Sequence, residues 1–332
     1  MKFRFFHTII YTLIIPAIMI AQLGCAKRTP QQDTLKEYRK MIERQKTVRV
    51  RGEQEALKKI PEMTAEGYER LGAQYLSQGK VDTALIQYDK ALRLDPNQTR
   101  IRYKIGRLFL EKGLSQEAKN EFEGILRVNP NYALAYDGIG RVYLNMRELN
   151  EAKKYFLKAI QLDANLWQAH NFLGIIYDRQ RQFEAAITQY KEAISINPGD
   201  SALFNNLGMS LLLSGEYKKA VNAFAEALKV EPSNSKAYNN LALALCKLGR
   251  YPEAFEAFKK GGDEASAYYN IGCLYMTDGK YTKAIEAFEK AIEIKPGFYV
   301  KAHENLMKAR AAINTTRQDR SEAPPPQSGA SR

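Results

Sequence analysis

One property of this sequence restricts its fold more than any other: it matches itself at a spacing of 34 residues. Residues 201–234 read SALFNNLGMSLLLSGEYKKAVNAFAEALKVEPSN. Leu207, Leu211 and Leu212 fall on one helical stripe, Gly215 interrupts, Ala220, Phe224 and Ala227 form a second stripe, and Pro232 ends it. The Leu207-Gly208 pair has counterparts at Leu71-Gly72, Ile105-Gly106, Ile139-Gly140, Leu173-Gly174, Leu241-Ala242 and Ile271-Gly272. The second-stripe alanine recurs at Ala84, Ala118, Ala152, Ala186, Ala254 and Ala284. An aromatic stands four residues beyond each alanine: Tyr88, Phe122, Phe156, Tyr190, Phe224, Phe258 and Phe288. One helical hairpin per period cannot bury both its faces, so neighbouring hairpins must stack. The small residues let the paired backbones approach while the aromatic fills the space beside them, with Gly174 expected near Ala186.

This pattern resembles the tetratricopeptide repeat family over residues 65–313. The resemblance implies an all-α fold: a right-handed superhelical solenoid of about seven helical hairpins plus a C-terminal capping helix. The chain then divides into a signal segment at 1–24, a basic linker at 25–64, the solenoid at 65–313 and a polar, Pro-rich tail at 314–332 that reads as disordered.

Several local departures carry expectations of their own. Ala164 replaces the usual proline, so the second helix of repeat three is expected to run on towards Trp167. Arg147 and Arg181 replace the turn glycine, which predicts tighter or continued corners there. In repeat six the stretch KKGGDEASA shortens the spacing from Leu241 to Ile271 to 30 residues. Gly261-Gly262 should end that second helix about a turn early and open a notch on the outer edge. A capping helix over Lys301–Ile313 closes the stack.

The N-terminus reads as a targeting segment. Lys2 and Arg4 precede an apolar core at Ile9–Ile20, and Ala21-Gln22-Leu23-Gly24 leads into Cys25. This resembles a bacterial lipoprotein signal, in which Cys25 is lipidated, although Gln22 departs from the apolar residue usual at its position. The competing reading is a simple uncleaved anchor, since residues 5–24 are just long enough to span a bilayer core of ~30 Å. Both place the repeats outside the cytoplasm. Ala26 rather than Asp follows Cys25, so the lipoprotein rule does not retain the chain at the inner membrane and the outer membrane facing the periplasm is expected. Residues 27–59 hold eleven Lys/Arg against five Asp/Glu, suited to anionic head groups or to a solvated spacer. The formal charge of +13 lies partly there, and the repeats alternate Lys and Glu, which argues against a nucleic-acid groove.

Catalytic motifs are absent from the sequence: there is no HExxH, Cys-x-x-Cys, Gly-rich phosphate loop or GxSxG. His7 lies in the signal, His170 and His303 lie on first helices far apart, and His170 fills a slot that is aromatic in other repeats. The reading is of a non-enzymatic protein without a cofactor or metal. With Cys25 lipidated, Cys246 and Cys273 remain as a possible disulfide in an oxidising compartment, or as two small apolar fillers.

In the tetratricopeptide repeat family the first helices line the concave groove. That implies a partner-binding row of Asn171, Asn205 and Asn239 at position five of successive repeats, and Asn206, Asn240, Asn270 and Asn305 at position six. An amide offers a donor and an acceptor together, matching a peptide backbone. Towards the N-terminus the groove changes to Arg100, Tyr103, Arg107, Asp137 and Arg141, a patch suited to an acidic or C-terminal segment. Residues 201–313, with the shortened GGDEASAYYN junction, resemble the lipoprotein of the tight-adherence (Flp) pilus assembly system, and the layout is also similar to the pilotin lipoproteins of type IV pili. The resemblance implies an assembly factor for pilus or secretion machinery, with a secretin or pilus component as partner. The alternatives are an envelope adaptor that recruits cell-wall hydrolases or synthases, and an accessory subunit of an envelope enzyme.

Overall fold

A computed structural model describes residues 36–43, 63–296 and 299–322. The signal segment and Cys25 lie outside the described residues, as do the last ten residues of the tail. Two compact units are distinguished, 1–62 and 63–332. Of the first, a short helix α1 at 36–43 is described.

The second unit is helical throughout its described residues. Its helices pair as α2 (Ala65–Ser77) with α3 (Val81–Leu94), α4 (Thr99–Glu111) with α5 (Ser115–Val128), and α6 (Ala133–Asn145) with α7 (Leu149–Leu162). Next come α8 (Trp167–Arg179) with α9 (Phe183–Ile196), α10 (Ser201–Leu213) with α11 (Tyr217–Val230), and α12 (Ser235–Lys247) with α13 (Tyr251–Gly261). The last pair is α14 (Glu264–Thr277) with α15 (Tyr281–Ile294), and α16 (Tyr299–Glu322) packs on α15. Each helix packs on the next, and first helices of neighbouring repeats also approach one another along α4, α6, α8, α10 and α12. This is the stacked-hairpin solenoid that the period implies. The capping helix exceeds the sequence expectation, running on past Ile313 to Glu322 rather than giving way to the tail.

Each hairpin closes in one way. The residue at the corner has positive φ: Gly79, Gly113, Gly215, Gly249 and Gly279, with φ of 68–89°. The residue after it sends its N–H back to the carbonyl five positions earlier, as in Lys80 to Tyr75 at 2.9 Å. Arg147 and Arg181 do not tighten or continue the corner; they adopt φ of 64° and 60° and keep the same bond, Glu148 to Tyr143 and Gln182 to Tyr177, both 2.9 Å. Seven stacked hairpins impose the corner, and these two side chains accept a left-handed backbone that costs roughly 1–2 kcal/mol elsewhere. The expectation for Ala164 also fails. Helix α7 ends at Leu162, because Asp163 turns extended (φ −146°, ψ 101°) and its Oδ1 accepts from the Asn165 N–H at 2.9 Å. Asp95 and Asn129 make the same side-chain turn with Asn97 and Asn131. A carboxylate or amide at this place stops the helix whether or not proline follows.

The core is a file of aromatic rings. Phe122, Phe156, Phe224 and Phe288 are fully buried, and Tyr88 and Tyr190 nearly so. The recurring glycine faces its own second helix, as expected, and its nearest neighbour there is the aromatic ring. A Cβ on Gly174 would meet the Tyr190 ring at 2.5 Å, and one on Gly208 would meet Phe224 at 2.5 Å, so the glycine makes room for the ring one turn beyond the alanine. Repeat six carries Ala242 at this position, and its methyl is fully buried in the cluster that holds Phe258.

Repeat six is indeed short. Helix α13 has 11 residues where the other second helices have 14. After Gly262, Asp263 caps α14 by accepting from the Ser266 N–H at 2.7 Å. Hydrogen bonds from Ser266, with Lys295 beside them, hold the Asp263 carboxyl down at about 2.

Candidate partner-binding face

The first helices carry the position-five and position-six side chains, which meet across the boundaries between repeats. Their pairing follows a rule that the individual residues do not reveal: position six of one repeat donates to position five of the repeat before. Asn206 donates through Nδ2 to Asn171 Oδ1 at 3.0 Å, and Asn240 to Asn205 Oδ1 at 2.8 Å. Lys104 reaches Glu69 at 2.6 Å in the same two places, and Asn305 reaches the Tyr269 hydroxyl at 3.2 Å. The asparagines therefore staple neighbouring first helices together, each such bond contributing ~0.5–1.5 kcal/mol net. Each bond uses one N–H of the donor amide and one lone pair of the acceptor oxygen, which leaves Asn206 and Asn240 a second N–H and a carbonyl oxygen. Asn205 is buried, whereas Asn171, Asn206, Asn239, Asn240, Asn270 and Asn305 are half-buried. At the short repeat the staple is missing. Asn239 lies instead against its own second helix, where a Cβ on Gly261 would stand 2.8 Å from Asn239 Oδ1, and no hydrogen bond joins Asn270 to Asn239. The row is continuous over repeats four to six and interrupted at repeat seven.

Towards the N-terminus the row is ionic. Glu69 is 4% exposed and holds Arg100 and Lys104 together. Burial pushes its carboxyl up, and the two cations outweigh that and leave it below its ordinary value. Arg107 lies 3.6 Å from Glu111, and Arg141 Nη2 lies 2.8 Å from Asp137 Oδ2. Each arginine of the proposed basic patch thus has a carboxylate partner, so the patch is a set of ion pairs rather than a field of unopposed positive charge. The Arg141 guanidinium also covers the Phe172 ring at 4.9 Å, and Tyr103 packs on Phe122 and Tyr132.

Asp137 stands out within this cluster. It is 1% exposed, and the approach of Arg141 is close but off-line, so neither Asp137 oxygen nor Arg141 Nε completes a hydrogen bond. Burial pushes the Asp137 carboxyl up, with Arg141 and Arg107 opposing. A carboxyl raised in the folded state stabilises the fold fully below its unfolded pKa, and that contribution is lost as pH rises through the folded value. Relative to an Asp137→Asn variant, the wild-type protein should therefore gain stability as pH falls from 8 towards 4. Denaturant unfolding of both proteins across that range checks this; parallel profiles would show that Asp137 stays ionised throughout.

The remaining sequence candidates are structural. His170 bonds Gln189 Oε1 at 2.8 Å and the Ala164 carbonyl at 3.2 Å. Cys246 and Cys273 are free thiols and make no bridge. Cys246 is buried among Leu245, Phe258 and Ile271, which pushes its thiol up to about 12, while Cys273 receives the Asn305 amide at 3.7 Å in the next hydrophobic cluster. Among the described residues no group of His, Cys, Asp and Glu is arranged to hold a metal ion, and no helix is long and apolar enough to cross a membrane. Sequence reasoning missed the staples; a six-to-five pairing 35 residues apart was the signal available for them.

Comparison with known proteins bears on the repeat itself. A family model described as Cilia and flagella-associated protein 70 C-terminal domain matches residues 31–267, and one described as tetratricopeptide repeat matches residues 265–298. No curated protein matches the sequence. A solved tetratricopeptide repeat protein from Parabacteroides merdae is 15% identical, covering 74% of this chain and 98% of its own with a TM-score of 0.50. PilF from Pseudomonas aeruginosa is 21% identical over 64% of this chain and 96% of its own, also with a TM-score of 0.50. The Cut9–Hcn1 hetero-tetramer of the APC/C is 20% identical over 73% of this chain and 48% of that chain, with a TM-score of 0.53. At these identities the solved structures establish the helical-repeat fold.

Proposed function

Because the chain belongs to the family described as Cilia and flagella-associated protein 70 C-terminal domain, a tetratricopeptide repeat family, we propose that it is a non-enzymatic scaffold that captures a partner segment along its first helices. Tetratricopeptide repeats mediate protein–protein interaction. The observation that carries the reading is the continuous amide row across repeats four to six, whose Asn206 and Asn240 keep donors and acceptors beyond those spent on their neighbours. An extended backbone laid along the row meets an amide at each repeat, which favours binding without a strict sequence requirement.

The setting we propose is the bacterial envelope. The support is the apolar stretch that ends at Gly24-Cys25, together with the resemblance of residues 201–313 to the tight-adherence pilus lipoprotein. The ciliary name of the family describes other proteins, and a lipoprotein-type signal points this chain to a periplasmic face. There it serves as an assembly factor that brings a secretin or pilus component to its place in the outer membrane.

Replacing the lipid-bearing residue tests this. In cells carrying Cys25→Ser the precursor should persist, labelled fatty acid should not be incorporated, and the pilus or secretin component should fail to reach the outer membrane. Unchanged processing and labelling would remove the lipoprotein reading. Lost labelling with undisturbed assembly would remove the assembly role.

A further inference from the structure

The short repeat leaves a second surface, framed by the second helices on either side of it. A cavity of about 980 Å³ lies between the second helices α13 and α15, above the first helix α14. Two aromatic pairs line it. Tyr251 and Tyr275 stack at 4.5 Å, and Phe255 and Tyr268 meet at 4.6 Å with their planes tilted by 53°. Lys283 and Glu286 stand on its α15 wall. None of these residues belongs to the row of staples. A trough of half-buried rings with a mixed-charge rim suits a segment that is apolar, ring-shaped and already extended, which is what consecutive prolines provide at low entropic cost.

This chain carries such a segment. Beyond Glu322 the sequence reads Ala323-Pro324-Pro325-Pro326-Gln327-Ser328-Gly329-Ala330-Ser331-Arg332. Its starting point decides which notch it can enter. Helix α16 has 24 residues and spans ~36 Å, whereas α15, on which it packs, has 14 and spans ~21 Å. The two run antiparallel across a short turn, so Glu322 stands ~15 Å beyond the N-terminal end of α15 at Tyr281. The three prolines follow within four residues, a reach of ~12 Å at ~3.1 Å per residue. That reach is shorter than the ~15 Å overhang of α16, so it does not carry the prolines back to α15 of the same chain while α16 stays helical.

We infer that the aromatic notch of repeats six and seven binds the Pro324–Pro326 segment of a second copy of this chain. Both elements lie at the same end of the solenoid, so two copies can exchange tails reciprocally and close as a two-fold dimer rather than growing as a filament.

Sedimentation of the full-length protein over a concentration series, with two full-length variants, tests the exchange. One variant carries Pro324→Ser, Pro325→Ser and Pro326→Ser; the other carries Tyr275→Ala. Wild type should dimerise, and each variant alone should associate at least tenfold more weakly. An equimolar mixture should recover part of the association, because one intact tail then meets one intact notch. A wild-type chain that stays monomeric, a proline variant that dimerises normally, or a mixture no better than its components would overturn the inference. Should Tyr275→Ala fail to fold, hydrogen exchange decides with the proline variant alone. Residues 251–256 and 283–290 should lose protection only at concentrations where wild type is dimeric. Loss of protection in the monomer range would mean that each tail occupies its own notch, and the inference would be wrong.

Discussion

Gly208→Leu should destabilise its repeat by about 3 kcal/mol, at the upper end of overpacking costs. A Cβ at Gly208 would stand 2.5 Å from Cε1 and 2.6 Å from Cδ1 of Phe224, and that ring is 0% exposed, packed within the core on every side. Intrinsic helix propensity works in the opposite direction, favouring leucine over glycine by close to 1 kcal/mol, so any net loss understates the packing strain. The strain resides in one ring, which makes it separable. Adding Phe224→Ala removes the obstacle, and the double variant should be less destabilised than the two single effects summed. Phe224→Ala alone costs about 3–5 kcal/mol, so additivity would put the pair beyond rescue. Solenoids unfold by repeats, so hydrogen exchange resolved along the chain is a sharper readout than a global melt. Exchange in α10 and α11 should rise first. A wild-type exchange pattern in Gly208→Leu would mean that the glycine–aromatic contact is not what sets the hairpin distance.

That contact also marks how far the sequence could be read. The 34-residue period identifies the hairpins, their order and the short sixth repeat, because helix stacking repeats wherever the same small and aromatic residues return. What the period conceals are features decided between repeats. Glycine and the aromatic four residues past the alanine are both visible in the sequence, but only the packed hairpin shows that the Tyr190 ring is what stands closest to Gly174. Arg147 and Arg181 look like exceptions to the corner rule, yet neighbouring hairpins force them to obey it at positive φ. Ala164 looks like a missing stop, while the actual stop is the Asp163 side chain one residue earlier. The cap helix extends to Glu322 through a polar stretch that has no apolar stripe to announce it.

The candidate site was legible in composition and not in connectivity. The asparagines stand where sequence spacing puts them, and Asn305 keeps position six despite one extra residue before α16, since its partner Tyr269 is 36 residues away rather than 35. Their role as staples depends on how closely adjacent first helices approach, which varies along the chain and fails at the short repeat. The arginines were legible as charges, and Asp137 and Arg141 stand four apart on one helix, so their pairing was legible too; Glu69 had to be brought up in space before Arg100 could be seen as paired.

Groove capture is tested most directly by Asn206→Ala, Asn240→Ala and Asn270→Ala in one chain, with stability and partner binding measured on the same preparation. Two staples are lost, at ~0.5–1.5 kcal/mol each. Three alanines in helix interiors return a comparable amount, so the melting curve should move little. Binding has no such compensation. If each amide contributes ~0.5–1.5 kcal/mol to holding the partner's backbone, the affinity for the proposed secretin or pilus partner should fall by about tenfold to a thousandfold. Capture by the amide row predicts a protein that melts like wild type and releases its partner. A variant that melts like wild type and binds that partner with undiminished affinity would contradict it.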